Sequence, residues 1–173
     1  LRGDYMTQGK LVPRGYLQVI ANKEVAIPSN KESGRIGFAK WLTNDNPLTA
    51  RVMANRIWLW HFGQGIVRTP DNFGTLGLRP THPQLLEWLA IQFIENGWSI
   101  KQLHRLIMVS DVYMRSTDEV AKNLAKDPDN RNYWRFDRQR LDAEQIRDTL
   151  LTLSKELIKG SGGRHPFDHH LTY

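Results

Sequence analysis

Arg51, Asn55, Arg56 and His61 interrupt the stretch "NPLTARVMANRIWLWHFG" (46–63), whose other residues are mostly apolar. Residues 51 and 55 are four apart and would share one face of a helix. A guanidinium and an amide set among tryptophans need partners, because a buried polar group without one costs about 1–3 kcal/mol and an unpaired charge more. Two kinds of partner fit. One is internal: Asp45, Asp71, Asp137 or Asp142 would receive the arginines, and carbonyls of the following glycine loop would receive Asn55. The other is a ligand, with Arg51, Asn55, Arg56, His61 and Arg68 lining a pocket roofed by the loop up to Arg79. Such a pocket suits an anionic or hydroxyl-rich group, a carbohydrate included. His61 falls in the last turn, where the helix dipole favours a cation.

Asp71 and Asn72 in "RTPDNFG" and His82 in "THP" complete the polar cluster. An Asp and a His near one loop have the types for acid/base work, but no G-x-S-x-G, P-loop or H-E-x-x-H accompanies them. No catalytic residue is assigned on this basis. His165, Asp168, His169 and His170 have metal-ligand types, yet adjacent histidines in a tail without orienting neighbours make a poor site, and no metal is expected.

The elements that must position these groups are helical. Asn46 is placed to cap, and Pro47 to occupy the first position, of a helix that stops at Gly63. "GQGIVRTPDNFGTLGLRP" is too rich in Gly and Pro to be regular and is expected to form a structured loop, the kind of segment that often carries sites. Upstream, Ile36, Phe38, Ala39, Trp41 and Leu42 make a short amphipathic segment that stops near "TNDNP". Downstream, Thr81 with Gln84 and Ser99 with Gln102 resemble capping boxes, and Gly97 separates the two helices they open. Leu85, Leu86, Leu89, Phe93 and Ile94 should face inward on the first; Ile100, Leu103, Leu106, Ile107 and Met114 should do so on the second. A last helix is expected from about Asp142 to Ile158, with Leu141, Ile146, Leu150, Leu153 and Leu157 as its apolar stripe. Strand signals are weak throughout. The fold class is therefore mainly α: a multi-helix domain over 1–173, with an extended lead-in (1–32), a helical core (33–160) and a tail (161–173).

At 173 residues the chain is the size of one ordinary domain, and 40% hydrophobic with 24% charged residues is a globular composition. No apolar run approaches the roughly 20 residues of a membrane span. Cysteine is absent, which excludes disulfides, thiolate zinc sites and covalent haem attachment within this segment. The formal charge of +6 is spread among neutral residues without the aromatic interleaving of a single-strand groove, so nucleic acid is not the expected partner. The helix pair around Gly97 has helix-turn-helix-like spacing, with Lys101, Gln102 and Arg105 on the second helix. Most such pairs are simple α-hairpins, and DNA binding stays an alternative only. In "YWRFDRQRLDAEQIRD" arginines are interspersed with carboxylates, which favours a salt-bridged seam over a phosphate-contacting strip, with Asp142 as a cap and Arg147 paired to Asp148, Glu144 or a carboxylate on another helix. Leu1–Lys10 has no signal-peptide core and does not begin with Met, so the chain is expected to be a piece of a longer product.

"NPLTARVMANRIWLWHFGQGIVRTPDNFG", "THPQLLEWLA", "GWSIKQLHRLIMVSDVY" and "NRNYWRFDRQRLDAEQIRDTL", in that order over roughly Gly3–Gly163, resemble the planctomycete-specific PSD domain, an uncharacterised family of very large proteins. The resemblance implies a C-terminal domain beside a second uncharacterised domain and often a cytochrome-c-like module. It implies a periplasmic or secreted setting, other domains of the same polypeptide as partners, and haem only in a neighbouring domain. It implies no reaction. The expected function is a binding or scaffolding module; the rival is a hydrolase or redox enzyme whose site a neighbouring domain completes.

Overall fold

The computed structural model describes residues 33–158, together with 6, 9, 10, 12–17, 19, 20 and 160. Most of the lead-in and the tail with His165, Asp168, His169 and His170 lie outside the described residues. The described residues are helical and irregular, with no strand among them: the fold is mainly α. The chain divides into two compact units, Leu1–Asp137 and Arg138–Tyr173.

In the first unit, α1 (Arg35–Lys40) runs into a π-helical turn, Trp41–Asp45. Trp41 is buried there and stacks on Tyr16 and Phe38, with ring centroids 5.1 and 5.8 Å away. α2 (Pro47–Phe62) begins as its sequence suggests: the Asn46 side chain accepts from the Leu48 N–H at 2.9 Å, and Pro47 needs no donor partner. It ends at Gly63, whose φ of 73° is in the left-handed region. Ala50, Ala54, Ile57, Trp58 and Phe62 recur at helical spacing and are buried. Trp60, on the other side, is 58% exposed. The two alanines present no bulk where the helix meets its neighbours.

α3 (Pro83–Glu95) and α4 (Ile100–Met108) pack on α2 and on each other. The capping box expected at Thr81 does not form. His82 is the first flanking residue, without a side-chain cap, while Thr81 is drawn back into the loop, its N–H and hydroxyl both donating to the Ile66 carbonyl. Leu86, Leu89 and Phe93 are buried as expected, but Ala90 takes the inward position assigned to Ile94, which is 47% exposed. On α4, Leu103 and Ile107 are buried and Leu106 partly so, whereas Ile100 is exposed; Met114, expected on this helix, lies beyond its end at Met108 and is exposed. Ser99 caps α4 through the Gln102 N–H.

A sixth-residue bond from the Trp98 N–H to the Phe93 carbonyl (2.9 Å), and one from Gly97 to Ile94, close α3 in a Schellman motif. The Phe93 and Trp98 rings meet edge to face at 5.2 Å, the apolar contact that goes with it. After α4 comes α5 (Ala121–Lys126), then a turn organised by Asp127, whose carboxylate accepts from the N–H groups of Arg131 and Asn132. Burial opposes ionisation of Asp127, but these hydrogen bonds prevail and its pKa is lowered.

The second unit contains α6 (Ala143–Leu153), opened by a complete capping box between Asp142 and Gln145. It is shorter than expected. Lys155 takes a left-handed φ of 63°, and Glu156 donates to the Leu151 carbonyl, so the helix closes before Gly160 is reached. Arg147 pairs with Asp148 at 3.1 Å.

Candidate functional site

Asn55 is completely buried, and both ends of its amide are used on one residue of the loop. Its Oδ1 accepts from the Val67 N–H at 2.8 Å, and its Nδ2 donates to the Val67 carbonyl at 3.0 Å. The side chain thus does for Val67 what an adjacent strand would do, and Val67 and Ile66 are pressed into the core beside it. Gly65 follows from this approach: a Cβ there would stand 2.6 Å from the Val67 oxygen and within 2.9 Å of both amide atoms of Asn55. The loop is held at that depth because residue 65 has no side chain.

The charged members of the cluster meet partners nearer the surface. Arg56 Nη2 lies 3.1 Å from Asp71 Oδ1, with both side chains largely exposed. Arg51 Nε lies 2.6 Å from Glu87 Oε2 on α3, a carboxylate absent from the four that the sequence suggested. The hydrogen bond from Arg51 lowers the pKa of Glu87 against a smaller opposing effect of burial. Arg68 donates from Nη2 to the Asp129 carbonyl at 2.9 Å. Asn72 shapes the loop tip, its Oδ1 accepting from Gly74 while its carbonyl accepts from the Thr69 hydroxyl. His82 Nδ1 is 3.0 Å from the Thr81 hydroxyl, and its ring rests on Tyr133. Asp71 and His82 are therefore each engaged with a different neighbour.

His61 is joined to a residue that the sequence did not single out. Its Nε2 lies 2.7 Å from Nδ1 of His104 on α4, in a half-buried setting with the Tyr113 ring perpendicular to it at 5.4 Å. The helix dipole favours a cation at His61. Instead burial, then the like charge of His104, lowers its pKa. The available signal was the position of His104 between Leu103 and Ile107, a polar residue on an otherwise apolar face.

A cleft of about 230 Å³ opens between the loop and α3, lined by Val67, Phe73, Leu78, Pro83 and Leu86, with the Arg51–Glu87 pair among its walls. Its volume falls below the roughly 300–1,000 Å³ of small-molecule sites and suits one apolar side chain. Among the described residues, no three or more His, Asp or Glu side chains converge as a metal site would require.

Fold and site together define a mainly α-helical domain in which one long loop is fastened to a central helix by a buried amide. The chain belongs to the PSD1 family, described as proteins of unknown function (DUF1553), whose model matches residues 34–171. No curated protein and no solved structure matches it.

Proposed function

We propose that this domain is a binding module of a larger extracytoplasmic protein, and that its cleft receives an apolar side chain from another domain of the same polypeptide. The observation that carries this is the division of labour around the loop. Asn55, Arg51, Arg56 and Nη2 of Arg68 have partners within the fold, while the open space beside them is walled mainly by Val67, Phe73, Leu78, Pro83 and Leu86. A concave apolar lining with a charged pair among its walls is the pattern of a surface that takes an anchor residue and orients what flanks it. A haem-bearing neighbour and a periplasmic or secreted setting are part of the same proposal, resting on the PSD resemblance. Within the described residues no helix is long and apolar enough to cross a membrane.

The test is binding of this domain to the separately produced remainder of its polypeptide, measured by calorimetry for the wild type and for Leu78→Glu. Leu78 is 54% exposed at the cleft, so the charge obstructs the cleft without entering the core. A loss of at least ~10-fold in affinity, about 1.4 kcal/mol, is expected. Unchanged affinity would remove the cleft from the interface. A glycan array bound by the wild type and lost in Trp60→Ala would replace this proposal with carbohydrate recognition on the exposed face of α2.

A further inference from the structure

We propose that His61 and His104 form a proton-sensitive clasp, which ties the end of α2 to α4 and lets go when both imidazoles are charged. The two ring nitrogens, 2.7 Å apart, are joined by one bridging proton. A neutral pair makes this bond, one ring donating and the other accepting. A first added proton enters on a nitrogen away from the bridge and turns the donor into an imidazolium, which strengthens the bond. A second has only the accepting nitrogen left. Two N–H groups and two like charges then confront each other at contact distance, and the rings must part.

The surroundings make the second step costly. The Tyr113 and His61 rings stand perpendicular, and Phe62 lies beside His61. Among the described residues, these charged side chains on the elements around the pair are engaged with other groups or exposed. Arg56 is held by Asp71, Glu87 by Arg51, and Glu95 accepts from Gln92. Lys101, Arg105 and Asp111 are exposed. Burial and the charge of His104 both lower the pKa of His61 from the ordinary 6.5. The sign follows: an unfolded chain binds the second proton near 6.5 and the folded chain only at lower pH. The stabilisation is therefore present above about pH 6.5 and lost as pH falls through the folded value. His104 sits between the buried Leu103 and Ile107, so parting the rings loosens α4 from the core.

The experiment is urea unfolding of the full chain from pH 7.5 to 5.0, for the wild type and His104→Gln, whose amide cannot be charged. Comparison of the two cancels the titration of other groups. For the wild type the unfolding equilibrium constant should rise by up to ~10-fold per pH unit for each extra proton taken up on unfolding; for the variant the profile should be flatter. Superimposable profiles would overturn the proposal. If the variant does not fold, imidazole nitrogen shifts of the wild type decide: two coupled steps, the lower accompanied by loss of amide protection at Leu103 and Ile107, support the clasp. Independent titrations near the ordinary histidine value, with α4 unaffected, refute it.

Discussion

At the scale of single residues, Asn55 and Gly65 are one device. An amide that donates to and accepts from the same backbone residue cannot be exchanged for a hydrocarbon, because Val67 would keep a buried N–H and a buried carbonyl without partners. Asn55→Ala is expected to cost roughly 2–5 kcal/mol in chemical denaturation, a large share of the 5–15 kcal/mol that holds a typical domain folded. Asn55→Asp keeps the acceptor but sets a carboxylate oxygen against the Val67 carbonyl. Burial raises the pKa of such an acid, so this variant should regain stability as pH falls and the carboxyl becomes a donor. Gly65→Ala should cost roughly 3 kcal/mol, since the colliding atoms are backbone and a pinned amide. That Asn55 needs a partner was legible in the sequence, from the tryptophans around it. That the partner is Val67, and that Gly65 exists to let it approach, was not, because neither follows from the spacing of residues along one helix.

At the scale of elements, local chemistry was legible wherever a helix end depends on residues adjacent in sequence. Asn46 with Pro47, Gly63, Gly97, Ser99 and Asp142 with Gln145 all act where their types suggest. The exceptions have two causes, a tertiary demand on Thr81 and a local closure at the end of α6. Thr81 resembles a cap but is taken by the Ile66 carbonyl, and α6 is closed by Lys155 in a conformation usually left to glycine. The inward face of α3 also departs from its sequence reading, which includes Ile94, whereas packing buries Ala90 and leaves Ile94 exposed. Gly97 offers a clean measurement. A Cβ there meets nothing within 4 Å, so Gly97→Ala isolates the cost of its left-handed φ of 67°. About 1–2 kcal/mol should be lost in thermal or urea unfolding with no change in the cleft. Asp142→Ala removes the α6 cap and should cost about 1 kcal/mol of helix stability, read by circular dichroism.

At the scale of the whole molecule, the mainly α class was legible from periodicity and the absence of β-branched runs, and the family from the order of four motifs. The site was legible only as a list. The sequence groups Arg51, Asn55, Arg56, His61, Arg68, Asp71, Asn72 and His82 as one cluster, but the structure distributes them among a buried clamp, surface ion pairs, a loop tip and a histidine bridge. Sequence spacing shows which residues share a helix face, whereas the division depends on a loop whose path is set by contacts made far along the chain. Holding that loop at its depth is what keeps the cleft open beside α3. The most direct test is hydrogen exchange at the Val67 amide. If Asn55 fastens the loop to the core, this amide should exchange only through global unfolding, with the protection seen for Ile57 and Leu89, and should lose that protection in Asn55→Ala under conditions where the fold persists. Exchange of the wild-type Val67 amide at the rate of a solvent-exposed loop would contradict it.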